Sequence, residues 1–394
     1  MRLDDPESAI ASGDVLVAPP ATWLLRPSFT PGGGRRFRFR VHVEPPYRFA
    51  AGTRPAPGAG ADTFEASIEA IEGSSFAVFG NFALNDVRSG TSRVDVAIAP
   101  YRLALAERDV LAWIGAAVDS LAAYFGRFPV DRTLVIVQAG RPGSPTRGET
   151  LGDGGPAVLV RAGSKVTAAT TRDDWVVTHE LIHVSLPSLS RDHVWLSEGI
   201  ATYVEPVARA RAGLVTQEKF WRDLVEGLPQ GLPETGDQGL ERTHTWGRTY
   251  WGGALFCLMA DVTIRERTHG ARSLDDALRG IVATGDDVES LWSVERFLDV
   301  GDRGTGTHVL GELFASMALA PGTVDLAALW KRLGVRVEGD RVVFDDGAPL
   351  AAIRVAITAP YARPATTTGR IHWDGNFTIQ PQLVSRNARR LAIP

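Results

Sequence analysis

Two histidines and a glutamate stand together in Thr178-His179-Glu180-Leu181-Ile182-His183-Val184, an H-E-x-x-H stretch inside an apolar run that begins at Trp175. On a helix, residues i and i+4 lie one above the other on one face, so His179 and His183 can grip a single metal ion. Glu180 projects about 100° further round, where its carboxylate reaches a water on that ion. A metal-activated water does hydrolysis, and this spacing is the one that zinc-dependent peptide hydrolysis uses. Such a site needs a third protein ligand and keeps its fourth tetrahedral position for water.

Downstream, Trp195-Leu-Ser-Glu198-Gly-Ile-Ala-Thr-Tyr-Val-Glu205 opens a second helical pattern. A carboxylate at Glu198 completes a His179, His183, Glu198 set for one Zn2+ ion. The competing third ligand is His193, in the polar turn Arg191-Asp192-His193; its spacing does not match the metzincin pattern. Glu205 reads either as a support for the ligands or as a solvated carboxylate. Arg248 reads as a plain surface arginine or as a holder of a substrate carboxylate. His42, His244, His269, His308 and His372 stand alone in the sequence and read as structural or exposed.

H-E-L-I-H followed by W-L-S-E-G-I-A-T-Y-V-E resembles the gluzincin metallopeptidases, above all the glycyl aminopeptidase and leukotriene-hydrolase/aminopeptidase families. Tyr250-Trp-Gly-Gly-Ala-Leu-Phe is similar to the Y-x-K-G-A-L helix of the glycyl aminopeptidases, with Gly252 where those carry lysine. The resemblance spans about residues 100–335. It implies a thermolysin-like catalytic domain, one zinc ion, a peptide or protein substrate, Glu180 as general base and Tyr250 as hydrogen-bond donor to the transition-state oxyanion. It also implies a glycine-rich substrate-binding segment before the zinc helix. The matching stretch is Gly152-Asp-Gly-Gly-Pro-Ala-Val-Leu-Val160, with Gly154, Gly155 and Ala157 as the expected contacts. The strand Ala157–Val160 would present its edge to an extended peptide. Relatives carry a glutamate in that segment to hold the substrate amine; here Glu149 and Asp153 are the possible substitutes. The alternative function is a zinc-retaining peptide-binding or scaffold protein without hydrolysis.

The elements that must position these residues follow from periodicity. Phe37, Phe39, Val41 and Val43 alternate with polar residues, a half-buried strand. Further strands are expected at Phe64–Ile71, Phe76–Phe82 and Val94–Ile98, giving an antiparallel β region over about 14–100. Leu105–Tyr124 has helical spacing and Gly126 follows as a stop. Leu134–Val137 and Ala157–Val160 read as short buried strands, and residues 139–156, rich in Gly and Pro, as a long loop. The metal helix is expected to begin near Thr171–Asp173. Tyr250–Arg267 and Ser273–Ile281 read as helices, the second with Ser273 and Asp276 placed as a capping box. Val335–Phe344 reads as a hairpin and Pro349–Ile357 as a last helix.

The expected class is α+β: a β-rich N-terminal domain over 1–104, a thermolysin-like zinc catalytic domain over 105–300, a mostly helical part over 301–360, and a tail over 361–394. With 394 residues there is ample core for each unit. A net charge of -4 gives no basic footprint, so nucleic acid is not an expected partner. The single cysteine, Cys257, excludes an intramolecular disulfide and a cysteine-based zinc site, and reads as a small buried hydrophobe. No stretch is apolar for long enough to predict a membrane span. The acidic start Met1-Arg-Leu-Asp-Asp-Pro carries no signal peptide as written, and location stays open.

Overall fold

The computed structural model describes residues 10–24, 36–60, 62–67, 70–71, 75–339 and 341–360. The tail expected over 361–394 lies outside the described residues, as does Asp340 at the tip of the C-terminal hairpin. The α+β expectation holds: strands dominate the first hundred residues and helices the remainder.

The N-terminal strands are β1 (Ile10–Ser12), β2 (Val15–Ala18), β3 (Arg36–Arg40), β4 (Arg48–Ala51), β5 (Thr63–Ser67) and β6 (Ala77–Gly80). Four of them pair antiparallel in the order β1-β2-β6-β4, while β3 pairs with β5. A second, five-stranded sheet has the order β10-β11-β9-β8-β7. It is built from β7 (Ala83–Ser89), β8 (Ser92–Ile98), β9 (Arg132–Ala139), β10 (Arg147–Leu151) and β11 (Ala157–Ala162). Its centre, β8-β9-β11, is parallel and its two outer strands are antiparallel. β7 and β8 precede residue 104, so this sheet straddles the boundary expected there.

Burial on both faces explains the near-continuous apolar runs of β9 and β11. Val135, Val137, Val158 and Val160 join the helical core, whereas Leu134, Ile136, Ala157 and Leu159 meet Val15, Val17, Phe76 and Val78 of the N-terminal strands. Each fully buried valine, leucine or isoleucine side chain among these contributes about 1.5–3 kcal/mol. On the helical face lie α1 (Glu107–Phe125), α2 (Val176–Ser185) and α3 (Val194–Arg211), then α4 (Gln217–Gly227), α5 (Gly253–Arg267), α6 (Leu274–Val282) and α7 (Val294–Thr305). The helix over 107–125 ends, as its spacing predicts, at Gly126 in a left-handed conformation with φ 85. Ser273 and Asp276 form the predicted capping box.

Three expectations are corrected. Residues 139–156 are not all loop, because β10 occupies Arg147–Leu151. That strand also takes the sheet edge and leaves β11 paired on both sides, so Ala157–Val160 has no free edge to offer. The metal helix begins at Val176 rather than near Thr171, with only a single 3-10 turn over Thr170–Arg172 before it. Asp174 accounts for the later start: its Oδ1 accepts the Val176 amide N–H at 3.0 Å.

One junction ties the N-terminal strands to the rest. The Arg54 amide donates to the Gly154 carbonyl at 2.9 Å, and its guanidinium reaches Glu289 at 2.6 Å and Asp131 at 3.1 Å. Beside it, Asp153 is buried and neither of its carboxylate oxygens has a hydrogen-bond partner.

Candidate active site

Helix α2 is buried nearly all round, as expected of a helix pressed between a sheet and other helices. His179 and Glu180 are fully covered, and only His183 keeps some contact with solvent. The Nε2 atoms of His179 and His183 stand 3.2 Å apart. Glu198 Oε2, from α3, lies 3.1 Å from the first and 3.4 Å from the second. Ligand atoms about 2.0–2.1 Å from a tetrahedral zinc stand roughly 3.3 Å from one another, so these separations fit such an ion. Among the described residues, no other group of His, Cys, Asp and Glu side chains converges in this way.

The cluster is electrostatically self-consistent. Burial alone would raise the Glu198 carboxyl, but the imidazoles of His183 and His179 overcome it and hold the group well below the usual carboxylate range. Burial alone would lower His183; the Glu198 carboxylate reverses this and lifts it to about 8. Glu180 behaves differently. Burial pushes its carboxyl up, and the two histidines and Thr150 only partly offset this. A carboxylate lifted above its usual range is suited to take and return a proton.

Strand β10 holds Glu180 in place. Thr150 Oγ1 is 2.6 Å from Glu180 Oε2 and 3.2 Å from the Glu180 carbonyl oxygen, so its single proton goes to the nearer carboxylate. Two residues earlier, on the same face of the strand, a Cβ at Gly148 would fall 2.3 Å from Glu180 Cγ. Only glycine lets the strand come this close. Neither residue stood out in the sequence, where this segment read as loop. The available signal was the period of two, with Gly148 and Thr150 on one side and Arg147, Glu149 and Leu151 on the other.

Glycines also fix Glu198 against Tyr250. A Cβ on Gly199 would lie 2.3 Å from the Gly253 backbone, and one on Gly253 would lie 2.2 Å from the Trp195 carbonyl oxygen. Helices α3 and α5 therefore cross backbone to backbone, one residue after Glu198 and three after Tyr250. Tyr250 itself sits in a π-helical turn, Arg248–Gly252, a backbone distortion often found at functional sites. Burial, then the negative charges of Glu198 and Glu180, raise its hydroxyl above the usual tyrosine range. It stays protonated and able to donate. Its ring also leans on Trp246, with centroids 5.6 Å apart. Gly252, in the place of the relatives' lysine, abuts the Gly231 turn, where a Cβ would meet Leu240 at 2.7 Å.

The remaining candidates fall elsewhere. His193 Nδ1 is 2.9 Å from both carboxylate oxygens of Glu241, which also accepts the Trp195 indole N–H, so it belongs to a separate contact. Arg248 is buried against Asp237, neither a surface group nor a free cation. Glu205 is buried and paired with Arg209 at 2.6 Å, so it is not solvated. Cys257 is buried, as expected. His42, His244, His269 and His308 are exposed or nearly so, and His372 lies outside the described residues. Gly154 and Gly155 pack against Arg54 and Gly52 at the N-terminal junction, and Ala157 is buried in the sheet between Leu134 and Leu151. Glu149 lies on the face of β10 opposite Thr150 and pairs with Arg161 at 3.2 Å.

No family model and no curated protein matches the sequence. Solved structures do match. An aminopeptidase N family protein from Idiomarina loihiensis aligns with a TM-score of 0.61 at 13% identity, over 84% of this chain and 63% of that one. A mutant of a two-domain M1 zinc metallopeptidase bound to L-arginine aligns at 0.51 and 17% identity, over 80% and 73%. The fold is that of the M1 zinc metallopeptidases. An M1 zinc metallopeptidase from Deinococcus radiodurans aligns at 0.50 and 18% identity, over 80% of this chain and 72% of its own. This chain therefore carries the M1 fold while spanning less than two thirds of the first of these structures. Among the described residues, no helix of this M1 fold is long and apolar enough to cross a membrane.

Proposed function

We propose that this chain is a zinc-dependent peptide hydrolase, a gluzincin of aminopeptidase-like build. The observation that carries the reading is the convergence of His179, His183 and Glu198 at zinc-like separations, with Glu180 alongside and anchored by Thr150. Zinc bound there supplies a Lewis acid for the scissile carbonyl and an acidified water as nucleophile. Glu180 takes the proton of the attacking water and delivers it to the leaving amine. The Tyr250 hydroxyl donates a hydrogen bond to the developing oxyanion, a contact that is strongest in the transition state. Edge strand β10, rather than β11, is the strand we assign to lie along an extended peptide, and the pairing in the sheet supports this. We take the catalytic unit to begin at Ala83, because β7 and β8 complete its sheet.

The test is Glu180→Gln. It should retain about one zinc per chain by elemental analysis while peptide hydrolysis falls by about 10³-fold or more. Undiminished hydrolysis by this variant would refute the mechanism. Failure of the zinc-loaded native chain to cleave any member of a broad peptide mixture would instead favour the peptide-binding alternative.

A further inference from the structure

Tryptophan is the side chain with most to gain from burial, and among the described residues two tryptophans stand about half exposed. Trp175 is 46% exposed and Trp246 is 53% exposed. Both touch the proposed catalytic machinery. The Trp175 ring meets the His179 ring edge-on, with centroids 5.1 Å apart. The Trp246 ring lies against Tyr250 at 5.6 Å. They come from different elements: Trp175 immediately precedes α2, and Trp246 precedes the π turn. Each indole is thus about half open to solvent while in contact with one residue of the proposed site, His179 or Tyr250.

We propose that Trp175 and Trp246 are specificity-determining residues that select peptides with aromatic or bulky aliphatic side chains beside the cleaved bond. This rests on the hydrolase reading above and narrows its substrate class. Apolar surface left open beside a site, unlike a lone exposed residue elsewhere, is where an apolar group of a ligand can be buried. An indole face suits an aromatic or branched side chain, which gains both burial and ring-to-ring packing. A small side chain such as alanine would leave both indoles wet, and a charged one would lose hydration against them.

The test uses two peptides identical except for phenylalanine or alanine on both sides of one bond. The native zinc-loaded chain should cleave the phenylalanine peptide with a kcat/KM about 30-fold or more above that for the alanine peptide. Trp175→Ala and Trp246→Ala should each lower that ratio about 10-fold, mainly through KM, with zinc content still about one per chain. Trp175→Phe and Trp246→Phe should keep most of it, which separates lost surface from lost folding. Calorimetric binding to the zinc-loaded Glu180→Gln chain gives a readout without turnover: the phenylalanine peptide should bind at least 10-fold tighter, and either alanine replacement should remove that advantage. A ratio near one in the native chain, or a ratio that both alanine variants leave intact, overturns the proposal while the hydrolase reading stands. If no peptide is cleaved at all, the hydrolase reading falls, and the binding ratios alone decide whether the tryptophans select aromatic peptides.

Discussion

At the candidate metal cluster, side-chain atoms of three residues from α2 and α3 lie within 3.4 Å of one another, and the Glu198 carboxylate faces two imidazoles. At the junction of the N-terminal strands with the β10–β11 turn, Asp153 is just as deeply buried but its carboxylate meets no donor. Its nearest charged influence is Glu289, of the same sign, which Arg54 engages from its other side. The two regions bury acids in opposite ways. In the first, the imidazoles hold the Glu198 carboxylate ionised, the form in which a carboxylate can bind a metal. In the second, burial and then Glu289 push the Asp153 carboxyl up to about 8, so at neutral pH it holds its proton. Convergence of unlike groups makes a site for chemistry. A lone buried acid makes a pH-dependent joint.

The comparison can be broken or sharpened by substitution. The largest effect should come from Glu198→Ala, which removes the third ligand: bound zinc should fall from about one per chain to a small fraction, and activity by about 10⁴-fold. Metal analysis after dialysis, read beside kcat, checks this; full zinc retention would mean that another group is the ligand. Tyr250→Phe should keep the metal and lower kcat by about 10²–10³-fold with a modest change in KM. Thr150→Val, which keeps the strand and removes the hydroxyl, should lower kcat about 10-fold by freeing Glu180 to turn, without loss of zinc. Steady-state kinetics on one peptide serves for both.

The smallest effect on activity belongs to the other region. Asp153→Asn should change turnover little and act on stability. Because the folded carboxyl titrates near 8 and an unfolded one near 3.8, the native state binds the extra proton between those values. The stability this contributes is present in full below about pH 4 and is lost as pH rises toward 8. The native chain should therefore lose on the order of 2–5 kcal/mol between pH 4.5 and 8.5 from this group, and Asp153→Asn should flatten that slope. Thermal melts at both pH values check it; equal slopes in the two proteins would remove Asp153 as the cause.

How much of this was legible from the chain follows the same division. That His179 and His183 converge was readable because helical spacing puts i and i+4 on one face, while Glu198 was read from the helical pattern it opens downstream. Tyr250 entered the expected site only through resemblance, since nothing in its own spacing marks it. β10 was hidden because its two faces follow no apolar alternation: one meets a carboxylate and carries glycine and threonine, and the other carries an ion pair. With β10 unseen, β11 was expected to have a free edge, whereas it is paired on both sides, and Gly154, Gly155 and Ala157 pack at the junction and within the sheet. β7, Ala83–Ser89, was missed because an outer strand with polar residues on it has no buried-strand signature. The expected boundary at 104 followed from a change of composition, whereas hydrogen bonding between β8 and β9 runs across it.

The Gly199–Gly253 crossing has a mechanical consequence. Two helices in backbone contact have no side chains between them to reshuffle, so the crossing is stiff in the sense that a weld is stiff. The backbones that carry Glu198 and Tyr250 are then held together as one part. A remodelled version of this protein could change the walls around that part freely. It could not add a side chain at Gly199 or Gly253 without pushing the two helices apart.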